Sequence, residues 1–138
     1  RLISIPDTRF YHCNIKTLNL IPNVMAAQQA SESGCNETVF VRDGYVTECS
    51  HSNISMVKDG VFITHPLDNI IRWCGELGIP VEERAFTLEE LYTADEILVT
   101  STSHPSMRAM ELNQKAVGMK NPELIQKLRD KYLSEIGK

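Results

Sequence analysis

Lys16 is the residue whose setting most directly indicates chemistry. It follows Ile15 and precedes Leu18 and Leu20 in the segment HCNIKTLNL. An amine in apolar surroundings is poorly solvated as an ammonium ion, so it loses its proton more easily and can act as a nucleophile or base. A lysine of this kind suits Schiff-base chemistry with a carbonyl group. Taken alone, the same pattern also fits a lysine whose aliphatic stem covers apolar surface.

Two further polar groups could take part in the same chemistry. Glu48 lies near the end of a segment of alternating apolar and polar residues, and four hydroxyl residues at 100–103 follow the apolar run at 97–99. Hydroxyls and backbone N–H groups that follow a strand are well placed to bind an anion. Without other motifs, Glu48 is interpreted as a solvated residue at a strand end, and the hydroxyl run as a polar turn.

Periodicity predicts the elements that position these groups. A short strand is expected over residues 1–5, and apolar residues at helical spacing predict one amphipathic helix over residues 22–33. Pro22 suits the first turn of that helix, and Gly34 suits the position after its end. The face expected to pack inward carries Leu18, Ile21, Val24, Met25 and Ala30.

Alternating apolar and polar residues between positions 37 and 64 predict four short antiparallel strands. The tripeptides RDG at 42–44 and KDG at 58–60 are hairpin turn signals that separate them. The predicted strands cover residues 37–42, 45–49, 53–58 and 61–64.

The rest of the chain mixes helices and strands. A helix over residues 70–77 is expected to face inward with Ile71, Cys74 and Leu77. A strand over 81–86 leads to a short helix that opens with a capping box at Thr87 and runs through residue 92. Strands are predicted over 96–100 and 107–112, and the second turns at positions 113–114. Asn121 as N-cap begins a C-terminal helix whose apolar positions are Leu124, Ile125, Leu128, Tyr132 and Ile136.

Length and composition limit the class of protein. A chain of 138 residues with 42% hydrophobic and 23% charged residues is typical of one globular domain, and we expect an α/β fold. The net charge of −4, without a run of Lys or Arg, argues against nucleic acid or an anionic membrane surface as the partner. A small-molecule ligand is therefore expected.

The cysteines and histidines give no sign of a metal or disulfide framework. Four widely spaced cysteines without a CxxC pair favour reduced thiols, and the four histidines lack metal-ligand spacing. The sequence has no apolar stretch of transmembrane length and no signal-peptide pattern, so a cytoplasmic location is expected. Because the chain begins with Arg1, we interpret it as a fragment or a processed product.

The segments around Lys16 and Glu48 together resemble the class IV, fold-type IV, pyridoxal-phosphate aminotransferases, and most closely the branch that acts on D-amino acids. The similarity runs through CxIKxLNLxxNVMA at 13–26, continues at the correct distance to Glu48, and covers nearly the whole chain. It implies the C-terminal, cofactor-binding domain of such an enzyme, an antiparallel-rich sheet or pseudo-barrel with flanking helices. The implied reaction is ping-pong transamination between a D-amino acid such as D-alanine and a 2-oxo acid such as 2-oxoglutarate.

The resemblance also implies roles for individual residues. Lys16 forms a Schiff base with pyridoxal 5′-phosphate and then moves a proton between substrate and cofactor. Glu48 pairs with the pyridine nitrogen, which keeps the ring able to accept electrons. Ser101 and Thr102 contact the cofactor phosphate. The implied cofactor-binding set is Lys16, Glu48, Ser50, Ser52, Asn53, Ser101 and Thr102, with no metal.

The sequence departs from the family pattern at two places. Cys49 follows Glu48 where the family usually has glycine, which reaches conformations that cysteine cannot. Between Asn69 and Ile70 the family carries a further stretch that includes a GITR-like turn at the phosphate. Two explanations stay open here, an unresolved loop or a genuine deletion, and an Asn69–Ile70 Cα distance well beyond about 3.8 Å would favour the first.

Several alternatives to the D-amino-acid assignment stay open. Branched-chain aminotransferases and aminodeoxychorismate lyases share the motifs, although the branched-chain enzymes usually have tyrosine where Ile21 lies. A hypothesis of a different class is a non-catalytic folded fragment or binding module, since the family's N-terminal domain is missing from this chain. The resemblance implies a homodimer for the full-length enzyme.

Overall fold

The structure is a computed structural model that describes residues 1–13, 17–65, 70–101 and 107–136. In chain order, its elements are β1 (Leu2–Pro6), α1 (Ile21–Glu32), β2 (Glu37–Arg42), β3 (Tyr45–Cys49), β4 (Asn53–Lys58), β5 (Val61–Thr64), α2 (Ile70–Leu77), β6 (Val81–Glu83), α3 (Leu88–Thr93), β7 (Glu96–Thr100), β8 (Met107–Arg108), β9 (Glu111–Leu112), β10 (Lys115–Ala116) and α4 (Pro122–Ile136).

The strands of these described ranges form two five-stranded sheets, ordered β10-β9-β1-β2-β3 and β6-β5-β4-β7-β8. In the first sheet β1 and β2 are parallel, an arrangement that needs a crossover connection, which α1 supplies. In the second sheet β5 and β6 are parallel and are joined through α2. The predicted α/β class is confirmed, with two separate sheets rather than a closed barrel.

Two hydrophobic layers hold the sheets and helices together. Val39 of the first sheet packs with Met56 and Ile97 of the second, which forms a core between the sheets. The opposite face of the second sheet packs on the helices, where Leu98 joins the cluster of Cys74 from α2 and Leu128 from α4. Because β4 and β7 are buried on both faces, the second sheet lies at the centre of the molecule.

The two predicted hairpins are confirmed with the expected strand bounds. At their turns, Asp43 and Gly44 have φ of 52° and 81°, and Asp59 and Gly60 have φ of 51° and 78°. Such paired positive values match the twist of antiparallel strands in a two-residue hairpin. The hairpins belong to different sheets, and the loop from residue 50 to 52 carries the chain from one sheet to the other.

The inward face predicted for the first helix is correct at Ala30 and wrong at the large apolar residues. Ile21, Val24 and Met25 are 70%, 65% and 67% exposed, and the helix buries Ala26 together with Ala30. Alanine side chains are small, so the face of α1 that carries Ala26 and Ala30 can pack closely against β2.

The single strand predicted over residues 107–112 is also wrong. Met107–Arg108 pairs with β7 in the second sheet, whereas Glu111–Leu112 pairs in the first. The chain thus leaves one sheet and enters the other within six residues. The strand predicted over 81–86 is shorter than expected and ends at Glu83.

The remaining helices agree with the sequence. Cys74 is buried and Leu77 half-buried on α2, as expected, and Ile70 is more deeply buried than Ile71. The Asn121 side chain accepts a hydrogen bond of 3.2 Å from the Leu124 backbone N–H at the start of α4. Within the described ranges, no helix combines the length and apolar character needed to cross a membrane, and no cluster of His, Cys, Asp and Glu could hold a metal ion.

The capping box of α3 yields a test of local stability. Thr87 Oγ1 accepts from the Glu90 N–H at 3.2 Å, and the Glu90 carboxylate accepts from the Thr87 N–H at 2.8 Å. Thr87→Ala removes the first of these bonds, so we expect the free energy of unfolding to fall by about 1 kcal/mol in urea denaturation. Ser134→Ala, on the exposed side of α4, is the control and should change it by less than about 0.5 kcal/mol. An unchanged midpoint for Thr87→Ala contradicts the prediction.

Candidate active site

A β-bulge places Glu48 on the outer face of the first sheet. Val39 pairs with Cys49 and Val41 pairs with Val46, so two residues of β3, Thr47 and Glu48, lie opposite one residue of β2. Without the extra residue, Thr47 and Glu48 would point to opposite faces. With it, Val46 and Cys49 both enter the core between the sheets. The two polar side chains between them share the outer face.

Arg9, just beyond the end of β1, forms a buried ion pair beside the bulge. Its Nε lies 2.8 Å from Asp7 Oδ1 and its Nη2 lies 2.9 Å from Asp7 Oδ2. The side chains of Arg9 and Asp7 are 6% and 1% exposed. The guanidinium carbon also lies 4.1 Å from the centre of the Phe40 ring. The guanidinium is therefore held both in its plane and across its face.

The same guanidinium reaches Glu48. Arg9 Nη1 donates a hydrogen bond to Glu48 Oε1. Thr47 donates to Asp7 Oδ2 at 2.8 Å, so both residues of the bulge contact the Asp7–Arg9 pair. The Glu48 side chain is 43% exposed, in contrast to the buried side chains of Arg9 and Asp7. One carboxylate oxygen is therefore fixed by Arg9, and the group is open to a ligand.

Burial and pairing have opposite effects on the acidity of this cluster. Burial by itself raises the pKa of Asp7, but hydrogen bonds from Arg9 and Thr47 outweigh it and lower the pKa to about 2. Burial likewise lowers the pKa of Arg9, and the hydrogen bonds to Asp7 and Glu48 raise it above its ordinary value. Asp7 is therefore ionised and Arg9 protonated at neutral pH. Burial raises the pKa of the Cys49 thiol, so this neighbour of Glu48 is neutral.

A second buried carboxylate, Glu37, holds the loop that follows Glu48. Its Oε1 accepts from the backbone N–H groups of Thr38 and Ser50 at 2.8 and 3.2 Å, and also from the Ser50 hydroxyl. Its Oε2 accepts from the Ser52 hydroxyl at 2.9 Å and lies 3.1 Å from His51 Nδ1. The side chain of Glu37 is fully buried. The Glu37 carboxylate therefore contacts all three residues of this loop.

Helix α1 is tied to this loop through Asn23. The amide of Asn23 donates to the Ser50 carbonyl at 2.7 Å, and Asn23 lines the cavity next to Glu48. Asn23 belongs to the motif that carries the family resemblance. Its position explains why an asparagine fits there, since it joins the helix after Lys16 to the loop that follows Glu48.

A cavity of about 350 Å³ opens beside Glu48. Its lining comes from the segments before and after Lys16 and from the outer face of the first sheet: Arg9, Phe10, His12, Cys13, Thr17, Leu18, Asn19, Leu20, Asn23 and Glu48. Small-molecule sites begin at roughly this volume. Lys16 and Thr102 themselves lie outside the described residues, so their predicted roles stay predictions. Residues 66–69 also lie outside them, so the question of a loop or a deletion between Asn69 and Ile70 stays open.

The other predicted site residues fall into two groups. Ser50 and Ser52 are buried, and their hydroxyls bind Glu37. Asn53 is exposed and pairs with Thr100 across β4 and β7, so Asn53 and the half-buried Ser101 lie at one end of this strand pair in the second sheet. The structure thus places Glu48 at the cavity, with the serines bound to Glu37 and with Asn53 and Ser101 on the other sheet.

Sequence reasoning missed the residues that support Glu48. Arg9 and Asp7 lie shortly before Lys16, and a charged pair so close to the motif was the available signal. The signal for Glu37 was weaker: it is an acidic residue at the start of a largely apolar strand. The concern about Cys49 is resolved, because it is not among the described residues with positive φ and its side chain packs in the core.

The fold is that of fold-type IV aminotransferases. A solved structure of the branched-chain aminotransferase from the archaeon Thermoproteus uzoniensis with norvaline superposes with a TM-score of 0.81 at 27% identity, over 96% of this chain and 50% of that one. A branched-chain amino acid aminotransferase complexed with N-(5′-phosphopyridoxyl)-L-glutamate superposes with a TM-score of 0.85 at 25% identity, with the same coverage. The family model of amino-transferase class IV matches residues 3–112, and the chain belongs to this family, whose cofactor is pyridoxal 5′-phosphate.

Curated relatives include D-alanine aminotransferases. The protein from Bacillus licheniformis is 35% identical over 99% of this chain, and the one from Listeria monocytogenes serotype 4b is 38% identical over 98%. The chain spans about half the length of each, 53% and 50%. The similarity to these relatives therefore concerns one half of a longer enzyme.

The low pKa of Asp7 predicts an acid dependence of stability. Because the pKa falls from 3.8 to about 2 on folding, the contribution of Asp7 is present above about pH 4 and is lost as pH falls toward 2. Between about pH 6 and about pH 3, wild type should lose roughly 1 kcal/mol more unfolding free energy than Asp7→Asn in urea titrations. Asp43→Asn, in an exposed turn, should follow wild type. Parallel losses in wild type and Asp7→Asn contradict the prediction.

Proposed function

We propose that this chain is the cofactor-binding part of a pyridoxal-phosphate-dependent aminotransferase that moves an amino group from a D-amino acid, D-alanine above all, to a 2-oxo acid. One observation carries the proposal. Glu48 is held by Arg9 at the edge of a 350 Å³ cavity, and the described residues nearest Lys16 on either side, Cys13 and Thr17, line that cavity. The reaction needs a carboxylate and a reactive amine from this half, and the motif supplies Glu48 at the cavity and Lys16, which lies in sequence between two residues that line it.

The described residues fit the cofactor. Oε1 of Glu48 is bound by Arg9, and among the described residues Oε2 has no hydrogen-bond partner. A carboxylate oxygen at a cavity matches a protonated ring nitrogen. The bound cofactor supplies an electron sink for the pair left on the substrate carbon after proton loss. In the proposal, Glu48 holds the ring nitrogen and its proton, Lys16 anchors the cofactor and moves the substrate proton, and Ser101 and Thr102 bind the phosphate.

D-alanine is favoured as substrate because the two relatives described above are D-alanine aminotransferases at 35% and 38% identity. A branched-chain amino acid is the second candidate, favoured by the TM-score of 0.85 to a branched-chain enzyme. Ile21, which lies where that class usually has tyrosine, is 70% exposed and does not line the cavity. This difference supports the D-amino-acid assignment. A cytoplasmic location is part of the same proposal.

Labelling of Lys16 tests the cofactor assignment. The protein is incubated with pyridoxal 5′-phosphate, reduced with borohydride and mapped by peptide mass spectrometry. We expect the phosphopyridoxyl mass on Lys16, because the apolar residues beside it in sequence favour the neutral amine that forms a Schiff base. Lys16→Ala should abolish this label, whereas Lys127→Ala, on the exposed side of α4, should leave it unchanged. Label spread over surface lysines, or none, contradicts the proposal.

Substrate choice is tested with protein that has been loaded with pyridoxal 5′-phosphate but not reduced. Conversion of D-alanine and of L-leucine with 2-oxoglutarate is followed by the cofactor absorbance and by product analysis. Faster conversion of D-alanine supports the proposal, and faster conversion of L-leucine favours the branched-chain alternative. Specific labelling of Lys16 without conversion of either substrate favours the alternative of a non-catalytic binding module.

We further propose that the complete enzyme is a homodimer. Large apolar side chains are exposed around the cavity and along α1, a combination that marks surfaces covered by protein. They are Phe10, Tyr11, Leu18, Leu20, Ile21, Val24 and Met25, each at least 55% exposed.

Charge on this surface tests the homodimer. Ile21→Glu places a carboxylate on the apolar side of α1, so we expect a wild-type dimer to dissociate to monomer at the same concentration in analytical ultracentrifugation. Gln29→Glu, exposed on the same helix, should leave the dimer intact. A monomeric wild type contradicts the proposal.

A further inference from the structure

We propose that Arg9 is a positioning residue for Glu48: it binds Oε1 so that Oε2 faces the cavity and meets the ring nitrogen of the cofactor. The inference rests on the proposed function, because it needs a cofactor ring at that cavity. It goes further by assigning a task to a residue that acts on the cofactor only through Glu48.

Arg9 is immobile enough for this task. Two of its nitrogens bind Asp7 at 2.8 and 2.9 Å, Nη2 lies 3.3 Å from Thr47 Oγ1, and the guanidinium lies over the Phe40 ring. Its side chain is 6% exposed. A planar cation with bonds along one edge and a ring against its face has one orientation available. Its remaining nitrogen, Nη1, therefore points in a fixed direction.

Glu48 needs this support more than its neighbours do. Its side chain is 43% exposed at the rim of the cavity, and a glutamate with that freedom would occupy several rotamers. The bulge determines which face of the sheet the side chain leaves from, but not where the carboxylate lies. Among the described residues, Arg9 is the one that binds the carboxylate. Arg9 thus restricts the Glu48 carboxylate to one orientation before the cofactor binds.

The shape of arginine matters for the assignment. Arg9 uses Nε and Nη2 for Asp7 and Nη1 for Glu48, which spans the two carboxylates with one rigid group. A lysine at this position could supply one charge but not both sets of bonds. Arg9→Lys should therefore retain part of the effect, and Arg9→Gln should retain none.

Arg42 provides a matched control. Its Nη2 lies 3.2 Å from Asp7 Oδ2, and it donates to the Arg9 carbonyl at 3.1 Å, so it belongs to the same cluster. Among the described contacts of Glu48, none involves Arg42. Arg42→Gln thus disturbs the charges around Asp7 and leaves the Arg9–Glu48 contact in place.

The test compares two cofactors. Dissociation constants are measured for pyridoxal 5′-phosphate and for its 1-deaza analogue, in which carbon replaces the ring nitrogen. We expect Arg9→Gln to weaken binding of the natural cofactor about tenfold, with Arg9→Lys in between and Arg42→Gln within about twofold of wild type. For the analogue, all four proteins should agree within about twofold, because there is no ring nitrogen for Glu48 to meet. Arg9→Gln added to Glu48→Gln should cause no further loss.

The outcomes separate the inference from the proposed function. Equal losses of affinity for both cofactors in Arg9→Gln, or losses that add to those of Glu48→Gln, overturn the role of Arg9 while the cofactor assignment stands. Failure of wild type to bind either cofactor at Lys16 overturns both. If Arg9→Gln does not fold, Arg9→Lys decides: an intermediate loss confined to the natural cofactor supports the inference, and an equal loss for both overturns it.

Discussion

The buried pair of Asp7 and Arg9 is the interaction on which the site depends. Two charges removed from water cost several kcal/mol each, and the cost is offset only when their hydrogen bonds are satisfied. Here, the bulge of β3 completes the set, since Thr47 donates to Asp7 and Glu48 accepts from Arg9. The end of β1 and the middle of β3 must therefore keep their register through β2, which lies between them. Loss of one partner would leave the other charge buried, at a cost of about 3 to 5 kcal/mol.

Glu37 performs a related task on the neighbouring strand. A fully buried carboxylate at the start of β2 gathers donors from the loop that leaves β3, and Asn23 binds the same loop from α1. The two glutamates differ in how accessible their carboxylate oxygens are. Glu37 is enclosed by donors, whereas Glu48 lines the cavity and its Oε2 has no hydrogen-bond partner among the described residues. The same residue type is thus enclosed at one position and open to a cavity at the other, according to its neighbours.

Local features of the fold are predictable from the sequence, and pairings distant in sequence are not. Both hairpins follow from turn residues and alternation within a few positions, and the caps at Thr87 and Asn121 follow from similarly short patterns. The predicted face of α1 is wrong because the structure buries small Ala26 rather than large Ile21, and side-chain volume at a contact is a tertiary property. Glu48 is found through its motif, but Arg9 lies 39 positions away and no periodicity links the two.

The short segment from β8 to β9 joins the two sheets within six residues. Met107–Arg108 is hydrogen-bonded into the second sheet and Glu111–Leu112 into the first, so this stretch of backbone links the two sheets. If one sheet slid over the other, this link would be stretched and its hydrogen bonds would break. Glu48 belongs to the first sheet, and Asn53 and Ser101 lie at the second. This link and the loop at residues 50–52 therefore hold Glu48 of the first sheet in a fixed spatial relation to Asn53 and Ser101 at the second.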